Sequence, residues 1–263
     1  MPILSKWLHT HINSATQYPK IPTFQKLGEK GVLTNEHNTV FPTDQTVIVT
    51  EKVDGTNARV IVDASGDLFI GSREHLLYAR GDRIPNPAEN IVHTLRPLTW
   101  GLPRPDDGLA VYYLEVYGSH IGSAWKQYTG HPGEFGARLF DVAYIPIEAL
   151  DGPVERIAAW RKNGGQQFAN EAQLAQLSHA SGLPLTPRLD IIPGSCLPTT
   201  VAETHPYLCA IAGETRVALD EDAHGNAEGI VIRTPDRSHI AKVRFKDYER
   251  TARKVAEARA KAA

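Results

Sequence analysis

Cysteine is close to absent from this chain of 263 residues, which has only Cys196 and Cys209. Two thiols far apart supply no close metal-ligand spacing and too few bridges to staple a secreted fold, so both read as packing residues. Long apolar runs are also missing. None approaches the ~18 residues a membrane span needs, and the opening MPILSKWLHTHI lacks the apolar stretch and cleavage site of a signal peptide. The expectation is a cytoplasmic protein with no membrane partner. Nor is there a global excess of one charge: the net charge of -2 argues against a protein that coats nucleic acid indiscriminately. Basic charge is instead local, because residues 242–263 hold eight Lys and Arg against three Asp and Glu. That end can meet phosphates, or it can be a solvated helix of mixed charge. Internal repeats and low-complexity blocks are absent. With 41% hydrophobic and 22% charged residues the composition is that of an ordinary globular protein.

Strand patterns dominate the first part: TVIVTEKV (46–53), NARVIVD (57–63) and DLFIGSR (67–73), separated by Asp54-Gly55 and Ala64-Ser65-Gly66. They read as successive antiparallel strands. Asn86-Pro87-Ala88-Glu89 carries the signals of a helix start, with a cap, a proline and a carboxylate; this helix should end before Pro97. GLAVYYLEVYG (108–118) and ARLFDVAYI (137–145) read as buried strands around a loop, 119–136. Helices are expected over about 153–163 and 170–181, the second closed by Gly182. EGIVIRT (228–234) and SHIAKVRF (238–245) read as a hairpin about Pro235-Asp236-Arg237, followed by a basic helix over 247–262. The expected architecture is a single α+β domain spanning 1–263, with its functional groups on antiparallel strands.

Lys52 stands between an apolar strand and a turn, where a lysine by itself most often points into water. Other charges also sit at strand ends in apolar surroundings: Arg73 in IGSRE, Glu115 in YYLEVYG, Glu228 in AEGIVIR, and Lys242 with Arg244 in AKVRF. Charge in such places needs partners. A turn about Asp236 sets Glu228 roughly opposite Arg244 and Ile230 opposite Lys242. One reading is a cross-strand ion pair on an edge strand, which contributes little in water. The other is a pocket in which carboxylates hold a divalent metal and cations hold phosphate oxygens. A free lysine has a pKa near 10.4, so roughly one in 2,500 is the neutral amine at pH 7. Neighbouring cations or a metal favour that nucleophile and also stabilise charge on a transferring phosphoryl group.

EKVDGTN resembles the Lys-x-Asp-Gly motif of the covalent nucleotidyltransferase superfamily, which comprises ATP-dependent ligases and capping enzymes. GSRE, YLEVYG, LFDV, EGIVIRT and AKVRF resemble the superfamily's other motifs in the same order, from about residue 50 to 245. Thr56-Asn57, the form of YLEVYG and EGIVIR are most similar to ATP-dependent RNA ligases of the double-strand nick-sealing branch. The resemblance implies an antiparallel-sheet, ATP-grasp-like ligase adenylation domain. It also implies that Lys52 takes AMP from ATP, that the AMP passes to a 5'-phosphate RNA end, and that a 3'-hydroxyl displaces it. Mg2+ or Mn2+ would be held by Glu228, and Lys242 with Arg244 would grip the α-phosphate. Glu115 would bind the ribose and Arg73 the ribose or the accepting 5'-phosphate. Phe140 would stack on adenine, Glu51 would contact the nucleotide, and Asn57 would contact the phosphate at the RNA end.

The chain departs from the pattern in two places. Arg244 stands where a second lysine is common, which keeps the charge but not the compact ammonium; Lys246 is a candidate substitute. About 18 residues follow AKVRF, so no C-terminal OB barrel is expected. The RNA-gripping surface is then open, with the terminal helix and His120, Trp125, Lys126, Tyr128 and His131 as candidates. A minimal DNA ligase and a catalytically inactive end-binding module are the alternatives. Oligomeric state, and a preference for nicked duplex or single strands, are not read from these residues.

Overall fold

The computed structural model describes residues 6–79, 82–83 and 90–262. Helix α1 (Lys6–Thr16) precedes two short strands, β1 (Gln25–Leu27) and β2 (Leu33–His37). Next come β3 (Thr46–Lys52), β4 (Thr56–Asp63), β5 (Leu68–Ser72), β6 (Leu76–Ala79) and β7 (Asp82–Arg83). Helix α2 (Ile91–Leu95) leads to the long strands β8 (Leu109–Gly118) and β9 (Phe135–Ile145), then α3 (Val154–Lys162), β10 (Gln167–Phe168) and α4 (Glu171–Ser181). The last stretch runs through β11 (Arg188–Pro193), α5 (Val201–Ala212), β12 (Gly229–Arg233), β13 (Ile240–Arg244) and α6 (Phe245–Ala262). The fold is α+β, as expected, and among the described residues neither large sheet closes into a barrel.

The chain divides into two compact units. The first contains α1, residues Gly55–Trp125 and residues His131–Leu185. Its sheet has the order β10-β9-β8-β4-β5-β6-β7 and is antiparallel throughout. Ala58, Val60, Tyr112, Leu114 and Val116 pack on one face with Ile91 and Leu95 of α2 and Leu174 of α4. Ile61, Val111, Tyr113 and Ala143 pack on the other with Ile12 and Ala15 of α1 and Ile157 of α3. Burial on both faces explains why β8 reads as an unbroken apolar run instead of an alternating one.

The second unit contains Ile21–Asp54, Lys126–Gly130 and Thr186–Ala263. Its sheet has the order β11-β3-β12-β13. Val47, Val49, Ile230, Ile232, Ala241 and Val243 bury one face against Leu208 and Ala212 of α5 and Tyr248 of α6. Alternation along the strands then sends Thr50, Lys52, Val231, Lys242 and Arg244 to the opposite face.

Several local expectations hold. Helix α4 carries a reciprocal cap between Asn170 and Gln173, and Gly182 ends it in the left-handed conformation at φ 70°. Others are corrected. Asp54-Gly55 is not a hairpin turn: β3 pairs with β11 and β12, while β4 pairs with β5 and β8 in the other sheet. Gly55 is needed for close approach, since a Cβ there would lie 2.2 Å from the Val116 carbonyl oxygen. The β12–β13 hairpin is shifted by one residue, setting Gly229 opposite Arg244 and Val231 opposite Lys242. Its turn holds an extra residue, with Thr234 N–H donating to the His239 carbonyl and Asp236 Oδ1 accepting from Ser238 N–H. Both cysteines are exposed, not packed. The expected start of the 86–97 helix lies outside the described residues; its remainder is α2. No helix among the described residues is long and apolar enough to cross a membrane.

Candidate active site

Lys52 ends β3, a strand flanked on both sides by neighbours and therefore rigid. Its Nζ contacts the Glu228 carboxylate, and the Glu228 N–H donates to the Lys52 carbonyl at 3.0 Å. The same carboxylate meets Lys246 Nζ at 3.3 Å and Arg244 at 3.9 Å. Lys52 is 23% exposed and Glu228 11%, so the pair is largely withdrawn from water but open at one side. Gly229 lies between Lys52 and Arg244 in the ladder, and a Cβ on it would lie 2.0 Å from the Val243 carbonyl oxygen. Glycine therefore lets the three strand ends approach closely.

Two carboxyls are displaced from their ordinary ranges in opposite directions. Burial pushes Glu228 upward, but Lys52 and then Lys246 outweigh it, and the net shift is down. Asp54, in the same motif as Lys52, is pushed up by burial and by the charge of Glu228, against the pull of Lys52, Lys246 and Arg244. Asp54 was not among the candidates drawn from the sequence, although it lies two residues beyond the lysine.

Each expected site residue of the second unit has a definite place. Lys242 shares the sheet face of Lys52 and Arg244. Arg244 makes a fork onto Asp247, from Nε to Oδ2 at 2.9 Å and from Nη2 to Oδ1 at 3.2 Å. Lys246, not Arg244, is the cation nearer to Glu228 after Lys52. Glu51 points to the opposite, buried face, where its carboxylate accepts from the Thr215 hydroxyl and from Arg216 N–H at 2.8 Å. Tyr128, expected as an RNA contact, is fully buried. An aromatic in a Gly-containing loop looks exposed in sequence, yet its hydroxyl accepts the Asp54 N–H at 2.6 Å.

In the first unit, Asn57 and Glu115 lie opposite one another on β4 and β8, with Arg138 of β9 next in the row. Glu115 Oε1 accepts the Gly55 N–H at 3.2 Å. The Asn57 side-chain oxygen is buried with no hydrogen-bond partner among the described residues. Arg138 was missed by sequence reasoning; its place opposite Glu115 follows only from the register. Arg73 is exposed and lies 3.6 Å from Glu74. Phe140 is half-buried, near-parallel to Tyr113 with ring centroids 6.3 Å apart and edge-on to Tyr18 at 5.0 Å.

The stretch that carries these strand-end charges falls within a match to a known family: residues 45–247 fit the RNA ligase family. The chain belongs to it. Similar solved structures include a Naegleria gruberi RNA ligase variant with ATP and Mn, 14% identical, covering 88% of this chain and 63% of that one at a TM-score of 0.52. The same organism's RNA ligase with PPi is 16% identical, with coverages of 88% and 62% and a TM-score of 0.51. An archaeal ATP-dependent RNA ligase is 17% identical, with coverages of 88% and 49% and a TM-score of 0.50. At these identities the likeness shows the fold. The chain spans about three-fifths of the Naegleria chains and about half of the archaeal one. No curated protein matches.

Proposed function

We propose that this RNA ligase family member is an ATP-dependent RNA ligase, a single adenylyltransferase domain that works through AMP bound covalently to Lys52. The supporting observation is the contact of Lys52 with Glu228 at the end of a central strand, with Arg244 and Lys246 beside it. In the first step Lys52 Nζ bonds to the α-phosphorus of ATP, the bond from that phosphorus to pyrophosphate breaks, and the nitrogen gives up a proton. AMP then passes to an RNA 5'-phosphate, and an RNA 3'-hydroxyl displaces it to close the phosphodiester. Each transfer depends mainly on alignment and charge stabilisation.

The Lys52 ammonium cannot attack while it carries its full complement of protons. Glu228 therefore holds the lysine at rest, and attack requires that this carboxylate be engaged elsewhere. Glu228 and Asp54 fit Mg2+ or Mn2+: both offer hard oxygen donors, and the burial and then the Glu228 charge that push Asp54 up are both offset by a cation. Such an ion supplies charge neutralisation at the phosphates.

Lys242 and Arg244 serve the α-phosphate from the Lys52 face of the sheet, with Lys246 the stronger candidate for the compact ammonium. Glu115 takes the ribose, Asn57 offers its side-chain NH2 to the RNA-end phosphate, and Arg73 reaches ribose or 5'-phosphate. Phe140 offers a ring to adenine. Glu51 acts on the nucleotide through the Thr215–Arg216 segment that it holds. The partners are RNA ends, in a nicked duplex or not, in the ATP-containing cytoplasm.

The test is incubation with ATP or GTP labelled at the α-phosphate and a divalent metal, followed by a denaturing gel. Label from ATP on the wild type and none on Lys52→Ala supports the reading; label from GTP alone moves it to capping chemistry. No label on folded, initially unadenylated protein removes it.

A further inference from the structure

The residues on either side of Lys52 are held by one clasp within the second unit. Segment Lys126–Gly130 lies against residues 215–225. The Tyr128 hydroxyl accepts the Asp54 N–H at 2.6 Å, and the Tyr128 carbonyl accepts Leu219 N–H at 2.8 Å. The Asp220 carboxylate accepts from the Thr129 hydroxyl and from Gly130 N–H at 3.0 Å. Gly225 packs so closely on Gln127 that a Cβ would lie 2.1 Å from the Gln127 Cβ. Thr215 N–H donates to the Gly225 carbonyl at 2.9 Å, and Thr215 with Arg216 binds the buried carboxylate of Glu51. The clasp thus pins Glu51 on one side of Lys52 and Asp54 on the other.

A fully buried tyrosine ring with its hydroxyl on one backbone N–H fixes that N–H in direction as well as distance. Without the hydroxyl, Asp54 N–H loses its partner and the chain just after Lys52 can relax. In-line attack on phosphorus is sensitive to displacements of about 1 Å, which can cost on the order of a hundredfold in rate. We infer that Tyr128 is a positioning residue for the lysine nucleophile, with Asp220 as its support. This rests on the ligase reading above and gives part of the 119–136 segment a role other than gripping RNA.

The test separates the reaction into two measurements. Tyr128→Phe keeps the ring and removes only the oxygen. It should slow covalent labelling from saturating ATP by at least about tenfold. Sealing of an RNA end that already carries AMP bypasses attack by Lys52, so its loss should be at least about fivefold smaller than the loss of labelling. Asp220→Asn, which weakens the support without touching the ring, should show the same one-sided loss to a smaller degree. Equal labelling rates in wild type and Tyr128→Phe would overturn the inference. So would parallel losses in both steps with a lowered thermal midpoint, because that pattern marks a purely structural role. Absence of label on wild type itself would instead remove the ligase reading.

Discussion

Glu228 binds two lysines with one carboxylate, Lys52 through one oxygen and Lys246 through the other at 3.3 Å. Glu228→Gln keeps the shape but removes the negative charge beneath Lys52, Lys246 and Arg244. Hydrogen bonds to charged groups contribute about 1.5–3 kcal/mol, so the variant should lose about 2 kcal/mol of unfolding free energy in urea titration. Under the proposed function it should also lose covalent labelling by about a hundredfold or more, even at raised Mn2+. Unchanged stability would show that the carboxylate is not engaged as described.

Asp54 behaves in the opposite sense. Its carboxyl is raised in the fold, so its charged form is disfavoured there. On acidification from neutrality the folded state takes up this proton before the unfolded state does, and the contribution of Asp54 to stability grows as pH falls through that window. Glu228 is lowered, so its contribution is present above the ordinary carboxylate value and is lost as pH drops through the folded value. Asp54→Asn should therefore raise stability at pH 7, remove the gain that accompanies acidification toward the ordinary carboxylate range, and leave the loss at lower pH. Loss of labelling from ATP should accompany the gain in stability. A variant less stable than wild type at pH 7 would contradict the repulsion inferred here.

How far the site was legible depends on what each residue's neighbours dictate. Lys52, Glu228 and Arg244 were visible as charges at the ends of apolar strands, and the structure joins them around Glu228. Glu51 was legible in principle, because strict alternation puts it on the face opposite Lys52. The path through Asp54-Gly55 was not, since a glycine that turns a hairpin and one that lets a backbone pass close to Val116 look alike locally. Nor was the register of β12 and β13, which depends on one extra turn residue bonded by Asp236. Strand β11 and helix α5 were missed altogether. Pro206 breaks the expected pattern of α5, but its Thr200–Glu203 capping box was an available signal.

Arg244→Lys tests the departure from the family pattern. The guanidinium makes two bonds to Asp247, a residue 2% exposed in the first turn of α6 that also accepts from Arg250 at 2.7 Å. A lysine cannot reproduce that fork, so the variant should lose about 1–2 kcal/mol. The contact of Glu228 with Lys52 does not depend on the fork, and covalent labelling should persist within about tenfold. Lys246→Ala should depress labelling more than Arg244→Lys does, because Lys246 is the ammonium beside Glu228. The reverse ranking would return the phosphate-gripping role to Arg244.

Gly55→Ala separates what the motif needs for folding from what it needs for chemistry. The added Cβ would lie 2.2 Å from the Val116 carbonyl oxygen and 3.0 Å from the Tyr117 Cβ, both in β8 at the centre of the first unit's sheet. Neither backbone can yield without breaking the β4–β8 ladder, where Thr56 lies opposite Val116. Glu115 would also lose the Gly55 N–H that its carboxylate accepts if the strand moved away. Overpacking a tight site costs about 1–3 kcal/mol, and loss of a bond to a charged group adds to it. The variant should therefore lose at least about 2 kcal/mol, with faster amide exchange along Thr56–Asp63 and Leu109–Gly118 whether or not ATP is present. Normal stability with lost labelling would mean that this glycine serves only the nucleotide, contrary to the contact seen here.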